Sequence, residues 1–217
     1  AAIALEPESL NCEAILQAWY PGQAGGQAVA EVLFGDYNPA GKLPLTFYRN
    51  LAQIPDFEDY NMTGRTYRYM KETPLFPFGH GLSYTTFKYG KLKMNDDKIA
   101  VGQNLNLVIP VTNTGSRDGD EVVQVYLKKM DDTEGPVKTL RAFKRVRIPA
   151  GKTVEVKFSL DDTQLEWWDE QSNTMRVCPG NYTVMIGGTS CEKSLLSRAF
   201  TTVSYTHLRA HETTLHL

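Results

Sequence analysis

Apolar and polar residues alternate over the second half of the chain with the period of two that β-strands show. Leu105, Leu107, Ile109 and Val111 occupy every second position, and the stretches 123–127, 154–160 and 182–186 repeat this spacing. Turn sequences such as NTGSRDGD and PAGK separate these runs. The pattern predicts six to eight short strands over residues 87–203, in an antiparallel β-sandwich of the immunoglobulin-like kind. The Cys…Trp…Cys spacing of antibody-type domains is absent from the sequence.

The first part of the chain shows a different pattern, typical of α/β structure. Residues 14–20 form a short apolar run that predicts a buried strand ending at Pro21-Gly22. Residues 23–34 have helical spacing, with Gly35 in the position of a C-cap, and residues 43–48 predict a second strand. One such strand–helix–strand unit has too small a core to form a domain alone.

Residues 49–86 are irregular and rich in aromatic side chains and prolines. This composition predicts a linker that packs over another surface. The predicted organisation is therefore the C-terminal part of an α/β domain with its linker at 1–86, a β-sandwich at 87–203, and a separate tail at 204–217. The chain begins without Met or a signal-peptide pattern, so we expect it to start within a domain.

Charge and composition exclude several classes of protein. The chain has 23 basic and 25 acidic residues, a net charge of −2, which argues against a nucleic-acid or membrane-surface partner. The hydrophobic share of 41% is that of a globular protein. Three cysteines are too few for a disulfide scaffold, and Cys178 and Cys191 should lie at opposite ends of one strand as free thiols.

Two aromatic pairs are candidate sugar-contacting groups. Trp19 and Tyr20 end the first predicted strand, where ligands bind in α/β sheets, and either stacking on a sugar or packing against a neighbouring domain fits them. Trp167 and Trp168 are adjacent in a strand region, so one should be buried and only the other free to bind a ligand. The glycine-rich loop before the helix lacks both phosphate-binding fingerprints, which favours a tight turn.

Acidic and histidine-rich stretches give no catalytic or metal-binding pattern. The acidic clusters have no calcium-loop spacing and are expected to be solvated; their members are Asp56, Glu58, Asp59, Asp118, Asp120, Glu121, Asp131, Asp132, Glu134, Asp161 and Asp162. Residues 204–217 contain three of the four histidines but resemble translated vector sequence. We therefore predict no metal site and no cofactor, and a metal-binding function would rest on this tail alone.

Three segments, in this order, carry a family resemblance: AILQAWYPGQAGGQAVAEVLFGDYNPAGKLPLTF (14–47), GRTYRYMKETPLFPFGHGLSYTTFKY (64–89) and VVQVYLKKMDDTEGPVKTLRAFKRVRIPAGKTVEVKFSL (122–160). Together they resemble the C-terminal part of glycoside hydrolase family 3, over about residues 1–203. The resemblance implies the end of an α/β sandwich domain followed by a fibronectin type III-like domain. It also implies a retaining β-glucosidase or β-xylosidase as the parent, exported to the periplasm or outside the cell.

The family's catalytic residues have no counterpart in this sequence. Its Asp nucleophile lies in a barrel domain and its Glu acid/base in an upstream loop, and neither segment is matched here. The resemblance therefore assigns no catalytic residue, and it predicts that the chain alone is inactive and packs against the barrel and the α/β core. It places Trp19, Tyr20 and Gln23 where the second domain faces the barrel, as substrate contacts or as interface residues, with β-linked oligosaccharide bound through the other domains. The alternative that remains open is a non-catalytic carbohydrate-binding or structural module.

Overall fold

The computed structural model describes residues 3–204, most of them in β-strands and the loops between them. The helices are short: α1 (Glu6–Asn11), α2 (Gly25–Phe34), α3 (Thr66–Tyr69) and α4 (Asp162–Leu165), with 3₁₀ turns at Leu51–Gln53 and Glu192–Ser194. None of these helices has the length and hydropathy needed to cross a membrane. The predicted separate tail falls almost entirely at 205–217, outside the described residues.

Eleven strands follow residue 86 within the described range. They are β1 (Phe87–Tyr89), β2 (Lys93–Met94), β3 (Lys98–Ala100), β4 (Leu105–Asn113), β5 (Gly119–Lys129), β6 (Thr139–Ile148), β7 (Thr153–Leu160), β8 (Trp167–Asp169), β9 (Thr174–Arg176), β10 (Gly180–Gly187) and β11 (Leu196–Val203). The sequence predicted six to eight, because strands of two or three residues are too short to show alternation.

Two sheets face each other and form the predicted sandwich. In the first, β4 pairs with β7 on one side and with β1 and β2 on the other. The second has the order β3-β11-β10-β5-β6, antiparallel except for the β3–β11 pair. The hairpin β8–β9 forms a separate two-stranded sheet, from which Trp167 packs into the core. The expected immunoglobulin-like, mainly β architecture is therefore confirmed.

The core lies between the sheets and follows the predicted alternation. Strand β4 buries every second residue, and Leu105, Leu107, Ile109 and Val111 are fully inaccessible to solvent. They pack with Val123, Val125 and Leu127 of β5 and with Tyr182, Val184 and Ile186 of β10 in one cluster. Burying such a side chain is worth about 1.5–3 kcal/mol, so this cluster dominates the stability of the sandwich.

Of the helices and strands predicted before residue 49, the structure forms only the helix. Helix α2 ends at Gly35, whose φ of 81° is the left-handed C-cap conformation expected there. The predicted strands at 14–20 and 43–48 are not formed: the first segment pairs with nothing in the described residues, and the second makes one isolated bridge, Phe47 to Phe76. A strand needs a hydrogen-bonding neighbour, which an apolar run cannot supply for itself.

The aromatic segment after residue 49 packs on the sandwich, as predicted for a linker of this composition. The ring of Tyr67 stacks on Phe78 at 4.3 Å and meets Tyr126 of β5 edge-on at 5.9 Å. The backbone carbonyls of Arg68 and Phe78 accept hydrogen bonds from Val137 and Ser190. Both faces of β5 are consequently covered, one by the core and one by this segment.

Candidate functional site

The predicted contact residues Trp19, Tyr20 and Gln23 lie in the turn that leads into α2. Gly25, the first residue of that helix, is in close contact with Pro21: a Cβ atom there would come within 2.3 Å of the proline ring. This close approach gives the glycine-rich loop the tight-turn role that the sequence favoured. It also presents Trp19, Tyr20 and Gln23 at one end of α2.

Among the contacts within residues 3–204, Trp19 alone of these three residues meets another aromatic ring. Its ring meets that of the buried Phe47 edge-on, with 6.3 Å between centroids, and its backbone φ of 54° is left-handed, a strained conformation for a large side chain. Tyr20 is 99% exposed, and Gln23 is exposed as well. Trp19 and Gln23 carry no titratable group, so these two residues can position a ligand but cannot transfer a proton.

Trp19 belongs to a chain of aromatic rings that ends at His80. Phe47 contacts Phe76 at 6.4 Å, and Phe76 stacks on His80 at 5.2 Å. Burial, with a smaller effect of the Lys42 charge, lowers the pKa of His80 below its ordinary value. His80 is therefore neutral near pH 7 and acts as a packing group in this chain of rings.

A buried ion pair joins the loop after α2 to the sandwich. Lys42 Nζ lies 3.3 Å from Glu121 Oε1, and the two side chains are only 16% and 7% exposed. Lys42 also donates to the carbonyl of Gly81, at 3.0 Å. Burial raises the pKa of Glu121, although Lys42 opposes this effect. The half-buried Tyr89 beside Glu121 has its pKa raised by burial and by that carboxylate.

The burial of Glu121 contradicts the expectation that the acidic clusters are solvated. It lies on the same face of β5 as Val123 and Val125, and this alternation carries it into the interior. Several other cluster members have structural roles: Asp161 caps α4, and Asp132 accepts a hydrogen bond from the indole of Trp167 at 2.6 Å. In the described residues, no group of three or more potential metal ligands is present.

The second aromatic pair behaves as its adjacency predicted. Trp167 is 4% exposed and Trp168 is 51% exposed, on opposite faces of β8. Trp168 pairs across the hairpin with Met175, which is also exposed. Cys178 and Cys191 are free thiols, at the two ends of β10.

Exposed apolar side chains are concentrated before residue 63. Most of the large apolar residues that solvent reaches lie between residues 3 and 62, among them Leu16, Leu33 and Phe34. An apolar groove of about 170 Å³ separates segment 14–21 from α2, lined by Leu16, Ala18 and Val29 with their neighbours. Exposed apolar surface of this extent is typical of an interface.

A polar groove of about 410 Å³ lies between the loop after α2 and the ends of β5 and β6. Its lining includes Asp36, Tyr37, Arg117, Asp118, Arg145 and Arg147. This groove was not predicted from the sequence, because its residues are far apart in the chain and no motif connects them.

Comparison with known proteins accounts for both parts of the chain. The profile of the Glycosyl hydrolase family 3 C-terminal domain matches residues 1–84, and that of a Fibronectin type III-like domain matches residues 121–190. A xylan 1,4-beta-xylosidase of Xylanibacter ruminicola is 54% identical over 195 residues, which are 90% of this chain and 22% of the relative. A periplasmic beta-glucosidase of Salmonella typhimurium is 38% identical over 85% of this chain and 26% of its own length.

Solved structures agree with the sequence matches. A beta-glucosidase of Listeria innocua superposes with a TM-score of 0.79 at 26% identity, covering 93% of this chain and 30% of that one. A b-glucosidase of Erythrobacter marinus gives 0.77 at 39% identity, over 90% and 26%. The chain thus spans about a quarter of the length of the curated relatives it matches. It belongs to glycoside hydrolase family 3, as a C-terminal portion that carries a fibronectin type III-like domain.

Proposed function

We propose that this chain is the C-terminal part of a retaining β-glycosidase and that its first 86 residues dock onto the catalytic domains of the whole enzyme. The whole enzyme would hydrolyse terminal β-D-glucosides or β-D-xylosides, in keeping with the names beta-glucosidase and beta-xylosidase of the relatives above. Periplasmic or extracellular location is part of this proposal. So is the division into an α/β remnant at 1–86 and a sandwich at 87–203.

The observation that carries the proposal is the uneven distribution of exposed apolar surface. The sandwich buries its apolar strand faces in its own core, whereas segment 14–21 and α2 leave theirs open to solvent. At about 25 cal/mol per Å², covering such a surface is a strong driving force for association. The unpaired extended segment at 14–20 would gain hydrogen bonds from a neighbouring strand at the same time.

Chemistry by this chain alone is not part of the proposal. A retaining mechanism needs two carboxyl groups about 5–5.5 Å apart, one as nucleophile and one as acid and base. Neither catalytic segment of the family is matched in this sequence. The isolated chain is therefore expected to be inactive.

A chimera tests the proposal directly. Residues 3–203 replace the matching segment of the Xylanibacter ruminicola relative, and hydrolysis of an aryl β-xyloside is measured beside the isolated chain. We expect activity in the chimera and none in the chain. Phe34→Asp places a charge on the exposed end of α2 and should prevent assembly, whereas Trp168→Ser on the far hairpin should not. An inactive but folded chimera, or an active isolated chain, would contradict the proposal.

The same chimera separates the two roles of Trp19, Tyr20 and Gln23. We propose that they face the catalytic domains. Tyr20→Ala removes an exposed ring that nothing in the described residues holds in place. A higher KM with an unchanged amount of assembled enzyme would identify a substrate contact, and loss of assembly would identify an interface residue.

A further inference from the structure

We propose that the polar groove between the loop after α2 and strands β5 and β6 is a second, non-catalytic site that binds a pyranose unit of a neutral oligosaccharide. The volume of about 410 Å³ lies within the range of small-molecule sites. The choice of a saccharide as the ligand rests on the proposed function. The groove itself and the balance of charges in its lining are independent of that function. The role proposed for this site is binding alone.

Charge balance decides the class of ligand. Three arginines line the groove, Arg117, Arg145 and Arg147, and three aspartates face them, Asp36, Asp118 and Asp120. The lining is therefore neutral overall, which gives an anion such as sulfate or phosphate no net attraction. An arginine beside a carboxylate instead offers donors and acceptors side by side, which is what the neighbouring hydroxyl groups of a sugar need.

The polar groups of the groove are already held in place. Arg145 donates to Asp120 at 2.7 Å and to the hydroxyl of Tyr37 at 3.0 Å. Arg147 donates to Asp118 at 3.3 Å, and the other oxygen of Asp118 accepts from the backbone of Ala150 at 3.0 Å. A ligand meeting groups fixed in this way loses little binding free energy to ordering them.

The groove also supplies an aromatic surface and an unused acceptor. Tyr37 is 45% exposed, so part of its ring is available to the apolar face of a pyranose. Asn38, next in the chain, is anchored by Asp118, Ser83 and Tyr84, and this holds the Tyr37 backbone against the sandwich. Within residues 3–204, the Asp36 carboxylate has no hydrogen-bond or ion-pair partner and is free to accept from a ligand hydroxyl.

Titration of the ¹⁵N-labelled chain with xylotetraose and with cellotetraose tests the site, with sodium sulfate as the competing probe. We expect saturable shifts of the Arg145 and Arg147 side-chain signals with at least one oligosaccharide, and none with sulfate. Arg147→Gln should weaken oligosaccharide binding about tenfold through the lost charged donor. Asp36→Asn leaves the fold intact because the side chain is exposed, and it should both weaken oligosaccharide binding and create sulfate binding.

Two control variants locate the binding. Lys88→Gln, at the exposed residue of β1 in the other sheet, and Trp168→Ser, on the hairpin, should bind as the unaltered chain does. Sulfate binding without oligosaccharide binding would overturn the proposal, as would oligosaccharide binding that Trp168→Ser abolishes and Arg147→Gln leaves unchanged. The titration involves no catalysis, so its failure is distinct from an inactive chimera.

Discussion

The buried ion pair Lys42–Glu121 is expected to be the polar contact that contributes most to holding the first 86 residues on the sandwich. Lys42→Met keeps the length and apolar body of the side chain but removes the charge that faces Glu121 at 3.3 Å. The Glu121 side chain is 7% exposed, so it cannot turn outward into water to recover solvation. The variant therefore leaves a buried carboxylate without its counter-charge.

The expected loss of stability follows from that uncompensated charge. Breaking a buried pair from one side costs about 3–5 kcal/mol, and the partial exposure of Lys42 places this case near the lower figure. For a protein of this size, about 3 kcal/mol lowers the midpoint of thermal unfolding by roughly 6–12 °C. Glu121→Gln should cost less, because the remaining Lys42, 16% exposed, can extend its amine towards solvent.

The pH dependence gives the sharper measurement. The pKa of Glu121 is raised in the folded state, so its protonated form favours folding and that contribution disappears as the pH rises through the folded pKa. Removing Lys42, which opposes the upward shift, raises that pKa further. The stability gap between the unaltered chain and Lys42→Met should therefore be largest near pH 7 and shrink towards about pH 4.

Thermal unfolding followed by circular dichroism between pH 4 and 7 measures this gap. The control is Arg49→Met, which breaks the more exposed pair Arg49–Glu6 and should cost less than about 1 kcal/mol. The double variant Lys42→Met with Glu121→Met should recover much of the loss, since two apolar groups replace the pair. A gap that does not change with pH, or a double variant as unstable as the sum of the single ones, would refute the reasoning.

Three further changes test other parts of the fold. His80→Gln should flatten the rise in stability from pH 5 to 7, because the lowered folded pKa of His80 means that stability is lost as the pH falls through it; an unchanged pH profile would exclude this residue as the cause. Gly81→Ala places a Cβ 2.1 Å from the carbonyl of Gly41 and should destabilise the chain by more than 1 kcal/mol, whereas Gly41→Ala, with open space around it, should be nearly neutral in the same unfolding assay. Leu107→Ala, at a fully buried position, should cost about 2–5 kcal/mol in urea unfolding; Leu51→Ala, at a position 78% exposed, serves as the control, and equal losses would contradict the assigned core.

The sandwich was predictable from the sequence because its longer strands each carry their own signal. Alternation in β4 fixes which side chains face inward, and the opposite sheet shows the same period in β5 and β10. The strands predicted at 14–20 and 43–48 are not formed, because the sequence signal there covers only one of the two requirements of a strand. Their apolar runs indicate burial, but a strand also requires a partner, and the described residues provide none for the first segment.

Glu121 shows how a local pattern was overridden by a longer one. It stands next to Asp118 and Asp120, and an acidic cluster beside a turn is usually solvated. The alternation of Val123, Val125 and Leu127, continued two residues backwards, would have placed Glu121 inside. A buried carboxylate requires a cation beside it, and that requirement alone would have predicted a basic partner for Glu121 from elsewhere in the chain.

The polar groove could not have been found in this way, since its residues are neighbours only after folding. Asp36 and Tyr37 follow α2, and Arg145 and Arg147 share one face of β6. Asp118 directly precedes β5, and Asp120 is its second residue. The Lys42–Glu121 pair is one of the contacts that hold the loop after α2 against the sandwich, beside the hydrogen bond from Asn38 to the Asp118 carbonyl. Loosening this pair should therefore weaken oligosaccharide binding in the groove as well as stability. Lys42→Met tests this coupling in the xylotetraose titration. Unchanged binding in that variant would show that the groove forms independently of the Lys42–Glu121 ion pair.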